Sequence, residues 1–267
     1  MHPWRLRLLN IWNAFKLQSY RPVINETVDR EGLLRDIAAV LRQPQSRIAA
    51  LWSDYAALMA AKSHIECLGQ VGTLSSEEAF VIHCAAALYA PPNIIEIGTH
   101  EGKSTRRILD SIQRLQLSTT VTCYDIEDRV RHFRQDEARL ILRDVATAVE
   151  NAVLDRYEPG IIYLDAHPWQ LLTKVMSAVL KREDWILAIH DCSPILCNPN
   201  MTISREEPRL ISARTGHWER YALAAVFGLK DPLDDRLNDM ETETHILRVF
   251  GTQHGLGLIL PKALLPA

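Results

Sequence analysis

The sequence predicts an α/β fold: a doubly wound, mostly parallel sheet ending in an antiparallel hairpin and preceded by an α-helical N-terminal region. Three observations lead there. The first ninety residues carry helical periodicity alone. After Pro92, short runs rich in Ile, Val and Leu alternate with helical stretches. Two strand-like runs joined by a short glycine-containing link close the chain.

The helical region spans 1–90. Trp4, Leu8, Ile11, Trp12 and Phe15 recur at three- and four-residue steps, one face of an amphipathic helix. Its other residues include Arg5, Arg7, Lys16 and Arg21, with no acid before Glu26. Docking onto the rest of the chain or onto a second copy is the favoured role, so residues 1–90 are expected to cap the site or build a homodimer. Contact of residues 1–21 with an anionic membrane surface is the other reading of such a helix. Residues 30–42 and 45–67 continue the helical pattern. Ser75-Ser-Glu-Glu78 has the form of a capping box opening a helix over 76–89, which Pro91-Pro92 ends.

From 91 to 267 the pattern is that of a second unit. Strands are expected at 94–97, 120–124, 140–142, 161–164 and 185–189, with helices at 103–116, 128–138, 145–156 and 169–182. Several strands are apolar throughout, as strands covered on both faces must be. The hairpin is expected from 245–250 and 256–260. Residues 193–216 hold three prolines and no periodicity, and read as a long loop over the site.

Composition bounds the function. With 47% hydrophobic and 24% charged residues the 267-residue chain is an ordinary globular protein, which excludes disordered and low-complexity architectures. A net charge of −3 argues against a broad surface for nucleic acid. No apolar run approaches the ~18 residues of a membrane-spanning helix. The N-terminus lacks the continuous apolar segment of a signal peptide. Cys67, Cys84, Cys123, Cys192 and Cys197 are scattered and odd in number, so a reduced, cytoplasmic chain is expected.

The chemistry lies in the acids. Glu96, Asp125, Asp144, Asp165 and Asp191 each close one of the five expected strands. Five carboxylates in phase with five strands would line the edge of the sheet where open α/β folds bind ligands. The first turn, Glu96-Ile-Gly98-Thr-His-Glu-Gly102-Lys-Ser104, has neither the glycine spacing of a dinucleotide fingerprint nor that of a P-loop. A strand-end acid would repel phosphate and welcome a cationic or hydroxylated ligand.

These residues resemble the class I S-adenosylmethionine-dependent methyltransferases, over roughly residues 91–260. The family's acid-x-Gly-x-x-x-Gly motif matches Glu96 to Gly102, and the acid ending its second strand matches Asp125 in TCYDIED. YLDAHPW and AIHDCSP look like an O-methyltransferase-like subgroup with Asp-x-His after strand four and His-Asp after strand five. The resemblance implies a Rossmann-like fold and S-adenosylmethionine as cofactor. It also implies a cofactor site of Glu96, Gly98, Thr99, Gly102, Ser104, Asp125, Ile126, Asp144 and Asp165. The expected reaction is methyl transfer to a small-molecule acceptor, a sugar or natural-product hydroxyl, with His167, His190 and Asp165 as catalytic candidates. Histidine suits proton transfer because its pKa lies near neutral. Divalent-metal members of the family imply a cation at Asp165, His190 and Asp191. His190 departs from their all-oxygen pattern, and Mg²⁺ prefers oxygen. Two other functions fit the residues: a metal-dependent hydrolase using Asp165, His167, His190 and Asp191, and a non-catalytic cofactor-binding scaffold.

Overall fold

The computed structural model describes residues 28–61, 74–145, 154–196 and 218–266. The expected helix over residues 1–21, the remainder of the 45–67 helix, most of the 145–156 helix and most of the 193–216 loop lie outside the described residues.

Among the described residues, three helices precede the sheet. Helix α1 (Arg30–Val40) is capped by Asp29, whose carboxylate accepts the Gly32 N–H at 3.0 Å, and turns Leu33, Ile37 and Val40 inward. Helix α2 (Gln45–Ala61) follows. Helix α3 (Ser76–Tyr89) opens on the expected capping box: the Glu78 N–H donates to Ser75 Oγ at 3.2 Å, and the Ser75 N–H donates to Glu78 Oε2 at 2.7 Å. It stops at Ala90, which takes a left-handed conformation before the two prolines.

The sheet then forms. Its first part is strand β1 (Asn93–Ile97), helix α4 (Lys103–Arg114), strands β2 (Thr120–Asp125), β3 (Arg139–Leu142) and β4 (Gly160–Leu164), helix α5 (Trp169–Val179) and strand β5 (Ile186–Ile189). Helix α6 (Glu219–Val226) and strands β6 (Asp239–Glu241), β7 (His245–Phe250) and β8 (Leu256–Pro261) complete it. The eight strands lie in the order β3-β2-β1-β4-β5-β8-β7-β6. The first five are parallel, while β8 runs antiparallel to β5 and to β7, and β6 antiparallel to β7. The chain winds from β1 outward to β3, then returns to build β4 and β5 on the other side. The order therefore reverses between β1 and β4, the place where doubly wound sheets open a crevice.

Strand alternation divides the core in two. Ile94, Cys123, Ile161, Tyr163 and Ala188 face α1–α4, whereas Ile95, Ile97, Ile162, Leu164 and Leu187 face α5 and α6. Helices α1–α3 thus share one hydrophobic core with a face of the sheet. The expected helix at 128–138 is not formed. Only Val130, Phe133 and Ala138 are apolar there, too few for a buried helical face. Instead the Arg131 and His132 N–H groups bond the Glu101 carbonyl, and Phe133 packs over the first turn of α4. Leu154–Arg156, the end of the expected 145–156 helix, forms a short 3-10 turn.

Candidate active site

A cleft of about 420 Å³ opens at the carboxyl edge of the sheet, over the reversal point. The turns after β1, β2, β3 and β4 line it, and its size is that of a small-molecule pocket.

Parallel register decides which acids reach it. Glu96 pairs in register with Cys123 and Tyr163, one step below the sheet edge. Its carboxylate is fully buried and accepts hydrogen bonds from the hydroxyls of Ser104 and Thr105 in the first turn of α4. Burial pushes its pKa up, the two hydroxyls hold it down, and it settles at about 7. Glu96 therefore braces the turn from beneath and does not line the cleft, which corrects its place in the expected cofactor site. Gly102, the N-cap of α4, is also off the cleft wall, and the Phe133 ring occupies the space a Cβ would need. Gly98, Thr99 and Ser104 do line the cleft.

Asp125 ends β2 at the cleft wall. Its Oδ2 accepts the His100 N–H at 2.7 Å, and Oδ1 accepts those of Ile126 at 2.7 Å and Glu127 at 3.1 Å. His100 reaches it through a left-handed backbone (φ 48°). Beside it Ile126 leaves 68% of its surface exposed, a large apolar side chain on the cleft wall. Asp144 lines the wall after β3, where the Arg143 N–H bonds the Asp125 carbonyl at 2.8 Å.

Beyond β4, Asp165 and His167 complete the wall. Tyr163 donates its hydroxyl to Asp165 Oδ2 at 3.2 Å. His167 Nδ1 lies 2.6 Å from Oε1 of Glu219, the first residue of α6. The His167 side chain is 36% exposed and that of Glu219 1%. Burial lowers the imidazole pKa, but the charge and hydrogen bond of Glu219, with Asp191 and Asp165, outweigh it and raise it to about 10. The Glu219 carboxylate beside it thus favours the charged form of the His167 ring.

His190 sits level with Asp165 at the end of β5 but is 1% exposed and lies off the cleft wall. Its Nδ1 stands 3.3 Å from Asp165 Oδ1 and 3.2 Å from Asp191 Oδ1, and its Nε2 3.4 Å from Glu78 Oε2. Asp191, also buried, turns inward on a left-handed backbone (φ 58°). The structure thus brings Asp165, His190 and Asp191 together, with His190 and Asp191 beneath the cleft. His190 cannot touch an acceptor in it. Asp165, His167 and Asp191 also offer donor atoms within 4.8 Å of one another. Both sets pair two carboxylates with imidazole, and Mg²⁺ demands near-octahedral oxygen. Mg²⁺ does not fit these donors.

The sequence reading did not single out Glu78 or Glu219 for the site. Glu78 was legible as a cap residue alone. Glu219 carries no local signal, since 52 residues separate it from the histidine it bonds.

No protein-family model matches the sequence, and no match was found among curated proteins. Among solved structures the chain is similar to an O-methyltransferase from Bacillus cereus in complex with SAH (14% identity, 79% of this chain and 91% of that one, TM-score 0.47). It is similar also to the O-methyltransferase TomG from Streptomyces achromogenes, involved in tomaymycin synthesis, in complex with SAM (16% identity, 78% and 89%, TM-score 0.47). A third is a putative caffeoyl-CoA O-methyltransferase from Staphylococcus aureus (16% identity, 76% and 91%, TM-score 0.48). At such identities the fold rests on the strand order above, and the chemistry on the residues themselves.

Proposed function

We propose that this chain is an S-adenosylmethionine-dependent methyltransferase acting on an oxygen of a small molecule, a sugar or natural-product hydroxyl. One observation carries the reading. The Gly98 turn, the Asp125 carboxylate and the Asp165–His167 pair converge in a single cleft at the reversal point of the sheet.

The residues suit the cofactor. A carboxylate offers about four acceptor positions, and backbone amides fill three of those on Asp125. The position left on Oδ2 suits a ribose hydroxyl. The exposed Ile126 offers an apolar face to a purine ring, and Asp144 lies beyond it. Carboxylates along the wall favour a sulfonium and disfavour a phosphate. Bound here, S-adenosylmethionine supplies an electrophilic methyl group whose transfer to oxygen leaves a neutral thioether.

The chain's own residues do the rest. Asp125 and Ile126 fix the position of the adenosyl end, which is an orientation task. Glu219 keeps His167 charged, so its N–H stabilises negative charge developing on an acceptor oxygen. Asp165, the carboxylate on the same wall, takes the acceptor's proton. In this reading residues 91–267 carry the reaction and helices α1–α3 close its rear.

Calorimetric titration with S-adenosylhomocysteine tests the assignment. The wild type should bind one equivalent. Asp125→Ala, which removes a hydrogen-bonding carboxylate, should bind roughly tenfold or more weakly, and His167→Asn should bind equally well. A wild-type chain that ignores the ligand overturns the reading.

A further inference from the structure

We infer that Glu78, His190 and His254 form a site for a divalent cation of the zinc class, buried behind the cleft and distinct from the Asp165–His167 wall. The three residues come from the first turn of α3, the end of β5 and the turn between β7 and β8. All three are buried, and each offers one donor atom within 4.8 Å of the others.

The distances favour a metal over an ion pair. Where Glu78 makes hydrogen bonds they are short: 2.7 Å from the Ser75 N–H, 2.9 Å from Thr252 Oγ1 and 2.9 Å from the His254 N–H. Its approaches to the two imidazoles are not. Oε2 stands 3.4 Å from His190 Nε2 and 3.5 Å from His254 Nδ1. Charge-assisted N–H···O bonds close to about 2.7–2.9 Å. Donors on a tetrahedral Zn²⁺, at bonds of about 2.0–2.1 Å, stand about 3.3–3.4 Å apart. His190 Nε2, which faces Glu78, completes no hydrogen bond although it is buried. A buried polar atom left so is costly unless something else satisfies it. The His190 and His254 rings lie 4.9 Å apart at 48°, which leaves room for both to face a common centre.

The surroundings of His190 point the same way. Its Nδ1 faces Asp165 Oδ1 and Asp191 Oδ1 at 3.3 and 3.2 Å, while Nε2 faces Glu78. A histidine whose far nitrogen meets a carboxylate is the usual support of a metal-ligating imidazole, because the carboxylate fixes the tautomer that leaves the other nitrogen free to bind. Two nitrogens and one carboxylate oxygen suit Zn²⁺ or Co²⁺ and do not suit Mg²⁺ or Ca²⁺. The cation would tie the helical region to the rear of the sheet. It would also fix the orientation of Asp165, the carboxylate that reaches the cleft.

Full-length protein, stripped with a chelator and titrated with Zn²⁺ against a competing chromophoric chelator, should bind one equivalent and gain thermal stability. Co²⁺ should give the visible absorption of a tetrahedral site. His254→Ala deletes one ligand and should weaken Zn²⁺ by more than roughly 100-fold, beyond the loss that follows removal of a mere supporting residue. Glu78→Gln should do likewise, with circular dichroism checking that each variant folds. His167→Ala, on the cleft wall, should bind Zn²⁺ as the wild type does. Failure of the folded wild type to bind Zn²⁺ overturns the site, as does retention of binding in His254→Ala or its loss in His167→Ala. Titration of the same samples with S-adenosylhomocysteine reports on the cleft separately, so the two readings stand or fall apart.

Discussion

A Cβ built on Gly98 would lie 2.1 Å from the carbonyl oxygen of Asp165. The turn after β1 and the end of β4 therefore meet backbone to backbone, across the point where the strand order reverses. Gly98 also holds a left-handed conformation (φ 91°). Its smallness is required twice, by contact and by dihedral, and neither requirement involves a ligand directly.

Gly98→Ala should consequently destabilise the fold by about 2–4 kcal/mol, the sum of backbone strain and displacement of β4. Gly228 supplies the control. It too is left-handed (φ 73°), but a Cβ there meets nothing within 4 Å. Gly228→Ala should cost roughly 1 kcal/mol from strain alone. Urea denaturation of both variants measures the difference. Equal losses would show that the Gly98–Asp165 contact yields without cost.

Glu219 makes a prediction about charge that needs no knowledge of the acceptor. Glu219→Gln keeps an oxygen beside His167 but removes the negative charge, so the imidazole pKa should fall from about 10 toward its ordinary 6.5. Ring resonances followed by NMR through a pH titration read this directly. A wild-type His167 that titrates near 6.5 would refute the pairing. Stability follows by linkage. The folded pKa is raised, so the pair's contribution is full below pH 6.5 and is lost as pH rises through about 10. The variant should be less stable than the wild type at pH 7, and that deficit should shrink above pH 10.

The sequence made the local rules visible and hid the long-range ones. The capping box at Ser75 and Glu78 and the terminal hairpin depend on neighbours in the chain, and both were legible. The acids closing the strands were legible as a set, but their depth was not. Register alone puts Gly98 level with Asp125 and Asp165 while sinking Glu96 beside Cys123. The 128–138 stretch reads as helical by spacing, yet its arginines and acids find local partners, such as Arg134 with Asp136 and Glu137, that need no helix. Glu219 could not be found, because no periodicity announces a partner 52 residues away.

His83, in the middle of α3, should make the protein sensitive to acid. Its ring is fully buried beside Tyr55 and Phe80, with centroids 5.0 and 6.2 Å away, and neither nitrogen has a hydrogen-bond partner. Burial lowers its pKa from 6.5 to about 4, with the Asp54 charge pulling the other way. The sign follows from the depressed value. Above pH 6.5 both folded and unfolded chains hold the ring neutral. As pH falls toward 4 the unfolded chain takes up a proton that the folded chain refuses, and stability drains away. A depression of this size corresponds to roughly 3 kcal/mol by pH 4. His83→Phe keeps the aromatic packing and removes the titration. Its stability relative to the wild type should therefore rise steadily between pH 6.5 and 4, as urea midpoints at a series of pH values would show. Parallel pH profiles for the two proteins would mean that the fold leaves the His83 pKa at its unfolded value.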